Sequence, residues 1–255
     1  MRIASWNVNS LRVRLPHVID WLETQSPAVL GLQEIKTVDD DFPFQAFEDI
    51  GYQAISNGQK TYNGVALVYR KDLNPGNVVR SLEGFEDDQK RVVAADFEGV
   101  KVINLYVPNG QTVDSEKYHY KLEWLSALTQ WLGDVLAGNE KVVVMGDFNI
   151  APEDADVHDP DAWRDRILCS VPERQAFEKI LDLGFSDTFR LFEQEPKSFS
   201  WWDYRALGFR RNRGLRIDLL LASELLAKQC TLAAIDKAPR KLERPSDHTP
   251  VFADF

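Results

Sequence analysis

The segment Lys141-Val142-Val143-Val144-Met145-Gly146-Asp147-Phe148-Asn149 opens on an unbroken apolar run and closes on a glycine, a carboxylate and an amide. A β-branched run without polar alternation reads as a strand covered on both faces of its sheet. Strand-like runs recur at Arg2 to Val8, Ala28 to Gln33, Gly64 to Arg70, Arg91 to Phe97, Val100 to Val107, Arg216 to Ala222 and Pro250 to Phe255. Helical spacing lies between them. Leu15, Val18, Ile19 and Leu22 share one face, and Tyr118, Leu122, Leu125, Thr129, Leu132 and Leu136 recur at intervals of three and four. A third helix is expected to start at Ser170, whose spacing to Glu173 fits a capping box, and to end at Gly184. Interleaved helices and strands predict an α/β fold. The acidic stretch Glu153 to Asp165 is the one linker candidate, but strand-like segments flank it on both sides, so a single domain over 1–255 is expected.

The 255 residues are 44% hydrophobic and 27% charged, enough apolar material for a sizeable core and no sign of disorder. The N-terminus reads directly as a strand rather than a secretory signal, and no apolar run approaches the roughly 20 residues that span a bilayer. The two cysteines, Cys169 and Cys230, supply neither a disulfide framework nor a metal knuckle, which points to a cytoplasmic setting and away from membranes. A net charge of −10 would repel nucleic acid if it were spread evenly. It is not: acids collect in Asp39 to Asp41, Glu83 to Asp88 and Glu153 to Asp161, whereas Arg205, Arg210, Arg211, Arg213 and Arg216 share a stretch free of acids. One basic face is expected.

The chemistry is expected at strand ends. If the strand continued past Asp147, Asp147 and Asn149 would point to the same side, the carboxylate to polarise a water or help hold a metal and the amide to orient water or phosphate; the alternative is an ordinary turn. Gln33-Glu34 closes another apolar run, and Glu34 is the first choice as ligand for a hard ion such as Mg²⁺, against the alternative of an exposed glutamate. Asp218 stands inside the apolar Ile217 to Leu221 and must have a partner: a cation, a histidine, or an ion pair with Arg216 or Arg213. The candidate histidine is His248, within Pro245-Ser246-Asp247-His248-Thr249-Pro250; His17, His119 and His158 read as merely exposed. A neighbouring carboxylate would favour the His248 imidazolium, which could stabilise a phosphate's developing charge. With no serine or cysteine nucleophile motif, metal-activated water is the simplest mechanism for phosphodiester hydrolysis.

These blocks stand in an order that resembles the bacterial exonuclease III type of apurinic/apyrimidinic endonuclease, within the endonuclease/exonuclease/phosphatase superfamily, over essentially the full length. They are Trp6 to Arg12, Gln33 to Lys36, Asn63 to Ala66, Tyr106 to Gly110, Gly146 to Asn149, Ser200 to Arg205, Asn212 to Asp218 and Ser246 to His248. The resemblance implies a four-layer α/β sandwich, two packed mixed β-sheets flanked by helices, with the site at the strand ends. It implies Glu34 as metal ligand with Asn7 and Asp247 nearby, and Asp147 and Asn149 at the attacking water, close to the same Mg²⁺ or a substituting Mn²⁺. It places Tyr106 against the phosphate and pairs His248 with Asp218. Some relatives carry aspartate where this chain has Asn9, a departure from the pattern that leaves a metal role for that position open. For DNA it implies Lys36, Asn109 and Arg205, Arg210, Arg211 and Arg213 on phosphates and Trp201 beside an abasic pocket, with Trp202 a candidate for core packing. The implied partner is duplex DNA with abasic sites or blocked 3′ ends, acted on by a monomer. Superfamily members that hydrolyse phospholipid or inositol phosphates are the rival reading, since they would not need the tryptophan and arginine segment. A DNA-binding module that had lost its chemistry is a second rival, opposed by the intact set of polar residues.

Overall fold

The computed structural model describes residues 1–255. The chain begins β1 (Arg2–Asn7), α1 (Leu11–Gln25), β2 (Val29–Gln33), α2 (Phe44–Glu48), β3 (Tyr52–Asn57) and β4 (Val65–Arg70). It continues through β5 (Gly76–Val79), β6 (Val92–Phe97), β7 (Val100–Tyr106), α3 (Glu116–Gly138) and β8 (Val142–Asp147). The remainder carries α4 (Pro160–Trp163), α5 (Val171–Leu181), β9 (Phe185–Asp187), β10 (Trp201–Trp202), β11 (Gly214–Leu215), β12 (Asp218–Ser223), α6 (Glu224–Ala227), β13 (Leu232–Ile235) and β14 (Val251–Asp254). α5 starts as its sequence dictates: Ser170 Oγ accepts from the Glu173 N–H, and the Glu173 carboxylate accepts from the Ser170 N–H. α1 begins at Leu11, earlier than its apolar spacing alone suggested.

Two six-stranded mixed sheets result, ordered β13-β14-β1-β2-β4-β3 and β5-β6-β7-β8-β12-β9. The alternation along β8 shows how they stack. Val143 and Met145 face the other sheet, in a core shared with Ile3, Val29, Leu67, Val93, Val102 and Leu220. Val142 and Val144 face outward, onto Trp124, Leu128 and Leu132 of α3 and Phe177 and Ile180 of α5. On the far side, Trp6, Leu30, Leu32 and Ala66 pack against Val18, Trp21 and Leu22 of α1 and Phe47 of α2. Helix, sheet, sheet, helix is the expected four-layer α/β sandwich, and each sheet buries both faces, which is why its central strands read as continuous apolar runs.

A polar pin crosses the inter-sheet core. Gln33 Nε2 donates to Asn104 Oδ1 at 2.6 Å and to Ser5 Oγ at 2.9 Å, while Asn104 Nδ2 donates to the carbonyls of Leu32 and Ala66, each at 2.9 Å. The Asn104 amide and the Gln33 amino group are paired in this way, although Gln33 Oε1 has no partner, and the bonds fix the two sheets against sliding.

The expected strand Arg216 to Ala222 differs from its observed bounds. β12 begins at Asp218, and Arg216 lies ahead of it with 1% of its side chain exposed, bonded to Asp156 at 2.6 Å and Asp187 at 2.7 Å. Arg216 is therefore not part of the basic face: two buried carboxylates neutralise it. Its guanidinium is also unavailable to Asp218.

Candidate active site

Strand register brings the central groups together. β8 lies between β7, parallel, and β12, antiparallel, so that Asp147 stands beside Tyr106 on one side and Asp218 on the other. Gly146 makes the close approach to β7 feasible: at φ 150°, a Cβ there would lie 2.0 Å from the Leu105 carbonyl oxygen. β8 stops at Asp147, so Asn149 does not reach the site by strand alternation as the sequence suggested. Instead the chain bends, with Asn149 left-handed at φ 49°, and its N–H donates to Asp147 Oδ1 at 2.9 Å. The turn and the functional pairing are the same device. Asn149 Nδ2 donates to the Val107 carbonyl at 3.0 Å, and its Oδ1 accepts from Asn109 Nδ2 at 2.9 Å.

The partner that Asp218 required is His248. Nδ1 of His248 lies 2.9 Å from Asp218 Oδ2, and Nε2 lies 3.7 Å from Asp147 Oδ2. All three side chains are buried. Burial alone would strip the proton from His248, but Asp218 and then Asp147 outweigh it and hold the imidazolium with a pKa of about 10. The Asp147 carboxyl is pushed up by burial to about 7, with His248 pulling in the other direction. One carboxylate thus serves the histidine, while the other is poised near neutrality. Ser200 supports the pair by accepting the N–H groups of Ile217 and Asp218 at 3.1 and 3.0 Å.

On the other side of Asp147 stands Glu34, left-handed at φ 50° just beyond β2. Asn7, the last residue of β1, bridges the two carboxylates: its Nδ2 donates to Glu34 Oε1 and to Asp147 Oδ2, both at 2.9 Å. Ligating atoms of Glu34, Asp147 and His248 lie within 4.8 Å of one another. An oxygen-rich donor set of two carboxylates beside an amide fits a hard divalent ion, whereas His248 carries a proton on each nitrogen and acts there as a charge. Tyr106 reaches this group half-buried, its phenol held protonated by burial and by Glu34 and Asp147, with the Arg91 guanidinium 4.9 Å over its ring.

The remaining expected residues form an outer ring. Lys36 Nζ is 2.9 Å from Glu34 Oε2 and donates to Asn9 Oδ1 at 2.6 Å. Asn9 Nδ2 and Trp201 Nε1 donate to the two oxygens of Asp247, at 2.9 and 3.1 Å, and Asp247 stands outside the Glu34 group. Burial would raise the Asp247 carboxyl, yet His248, Asn9 and Trp201 together keep it below its usual range. Trp201 is partly exposed and meets Trp163 edge-on at 6.5 Å, while Trp202 is fully buried against Phe209. Arg205, Arg210, Arg211 and Arg213 are exposed, with Arg205 paired to Asp203 at 3.1 Å.

Three contributors escaped the sequence reading. Arg14 donates to the carbonyls of Asn9 and Pro245 and to the Tyr204 hydroxyl, and Arg240 donates to the Ser246 carbonyl while packing 5.0 Å over Phe209. Both clamp the Trp201 segment to the His248 segment, and nothing local marks them. The third, Lys121, does leave a mark, as a cation on the apolar face of α3.

Residues 4–248 match the model of the endonuclease/exonuclease/phosphatase family. Exodeoxyribonuclease III of Haemophilus influenzae is 39% identical over 272 residues that cover all of both chains. A Danio rerio protein described as DNA repair nuclease APEX1 is 30% identical across 98% of this chain and 81% of its own length. Among solved structures, a Neisseria 3′ phosphatase bound to a product DNA hairpin superposes with a TM-score of 0.97 and 46% identity, over 100% of this chain and 99% of that one. An AP endonuclease from Archaeoglobus fulgidus superposes with a TM-score of 0.95 and 40% identity at the same coverage. The chain belongs to the endonuclease/exonuclease/phosphatase family, in its exodeoxyribonuclease III branch.

Proposed function

We propose that this protein is a DNA-repair hydrolase that incises duplex DNA 5′ to abasic sites and cleans and shortens 3′ ends, using water activated beside Mg²⁺, with Mn²⁺ as substitute. The reading is carried by one observation, the buried row of Asp147, His248 and Asp218 facing Glu34. Similarity to an exodeoxyribonuclease III, a 3′ phosphatase and an AP endonuclease supports both arms of the activity. Glu34 and Asp147 would hold the metal, with the Asn7 amino group spacing their carboxylates, and the metal when bound supplies charge neutralisation at the phosphate. Asp147 accepts the proton of the attacking water, and Asn149 orients that water. The His248 imidazolium, fixed by Asp218, meets negative charge as it grows on the phosphate oxygens, and the Tyr106 phenol donates to the same group. Lys36, Asn109 and the four exposed arginines hold flanking phosphates, and Trp201 packs against the sugar that lacks a base. The enzyme works as a cytoplasmic monomer on this reading, and no helix is long and apolar enough to cross a membrane.

A duplex carrying one stable abasic analogue, and a second ending in a 3′ phosphate, incubated with and without Mg²⁺, test the proposal. Metal-dependent nicking 5′ to the lesion and release of phosphate are expected. Failure on both substrates would overturn the reading. Asp147→Ala should bind the duplex normally and lose cleavage by roughly 10²- to 10⁴-fold, measured in single turnover.

A further inference from the structure

Lys121 lies on α3 with its side chain wholly buried, 0% exposed. A buried ammonium persists only when it is paired and each N–H finds an acceptor. Lys121 Nζ has three: the Asn149 carbonyl at 2.7 Å, the Asn109 carbonyl at 3.3 Å and the Glu173 carboxylate. Glu173 is anchored in turn by the N–H groups of Leu168 and Ser170, each at 3.1 Å, and by the Ser170 hydroxyl at 2.6 Å. The Tyr118 hydroxyl closes the network, 2.7 Å from Ser170 Oγ. Gly110, left-handed at φ 87°, lets the loop after β7 fold over the lysine stem; a Cβ there would stand 3.1 Å from Lys121 Cδ. Burial lowers the ammonium's pKa, and Glu173 and then Asp147 oppose that loss.

The two carbonyls gripped by Lys121 belong to the two asparagines whose side chains meet at 2.9 Å in the site. Neither carbonyl has a backbone hydrogen-bond partner. We propose that Lys121 is a positioning residue for the reaction: its ammonium locks the backbones of Asn109 and Asn149 and so aims their amides at the attacking water and the phosphate. This rests on the function proposed above. A tetrahedral ammonium suits the task because its donors diverge toward two different loops and an anchoring carboxylate. The planar fork of an arginine would not satisfy the same three acceptors. Misplacement of such amides by about 1 Å is enough to cost on the order of 10²-fold in rate.

The alternative is a buried ion pair that stabilises the fold and nothing more. The double variant Lys121→Met/Glu173→Gln removes both charges and leaves Glu173's place in the α5 cap to a neutral amide. It is assayed on the abasic and 3′-phosphate duplexes beside the unaltered protein, counting only folded molecules. The expected result is a kcat lowered roughly 30- to 100-fold with KM for the duplex within about threefold. The side-chain amide NMR signals of Asn109 and Asn149 should lose their dispersion in parallel. An unchanged kcat with unchanged amide signals, whatever happens to the melting temperature, would overturn the proposal. Should the double variant not fold, Lys121→Arg is judged by the same two readouts, with a kcat drop of at least about fivefold expected and no change overturning it. If the unaltered protein cleaves neither duplex, the activity reading falls, and the amide signals alone decide whether Lys121 holds the asparagines.

Discussion

At the scale of single residues, the site works by setting charge against burial. His248 keeps its proton because Asp218 and Asp147 together outweigh the cost of desolvation, and Asp147 is pushed up to about 7 by the same burial. Removing one carboxylate should expose the balance. In Asp218→Asn, the charge that raises His248 most is gone, so its pKa falls from about 10 and the imidazolium is lost at lower pH. The alkaline limb of kcat should therefore move toward neutrality, with kcat near pH 8 falling roughly 10²-fold. A pH–rate profile together with an imidazole NMR titration would show it. An alkaline limb that stayed in place would remove the His248 charge from the mechanism.

Elements explain what was legible beforehand. Central strands such as β1, β2, β7 and β8 bury both faces, and a buried strand cannot hide its apolar run. Of the two large sheets, the strands that went unread, β3, β5, β9 and β13, all lie at sheet edges, and β5, β9 and β13 are short, while the two-residue strands β10 and β11 are too brief to leave a pattern. Glu34, Asp147, Asp218 and His248 were legible because each breaks an apolar strand or borders one. How Asn149 arrives was not, since a left-handed bend depends on the Asp147 carboxylate that caps it. Lys121 passed unread because a search for apolar spacing skips a lysine, although its place between Tyr118 and Leu125 called for a buried partner. Gly146 tests the geometry at this scale. Gly146→Ala would drive a methyl into the Leu105 carbonyl, so β7 and β8 must part; a loss of at least about 1–3 kcal/mol is expected in urea unfolding, with activity lost in the remaining folded fraction. An alanine variant as stable and active as the parent would show that the two strands need not approach so closely.

For the whole molecule, a net charge of −10 coexists with DNA as the proposed substrate because the acids and the exposed arginines occupy different segments. Arg210, Arg211 and Arg213 have no carboxylate within ion-pair distance. Replacing all three with alanine should weaken duplex binding and reduce the slope of log K against log salt by at most about three, measured by fluorescence anisotropy. An unchanged slope would place the duplex elsewhere. The site itself is divided between the two sheets. Asn7, Glu34 and His248 come from the sheet of β1, β2 and β14, and Tyr106, Asp147 and Asp218 from that of β7, β8 and β12. The bonds that matter, Asn7 to Asp147 and His248 to Asp218, cross from one to the other. Catalysis is thus a gauge of alignment between two slabs held in place by packing, the Gln33–Asn104 pin and the site's own crossing bonds. Mild denaturant that loosens their fit by a fraction of an ångström should silence the enzyme while its tryptophans still report a folded chain.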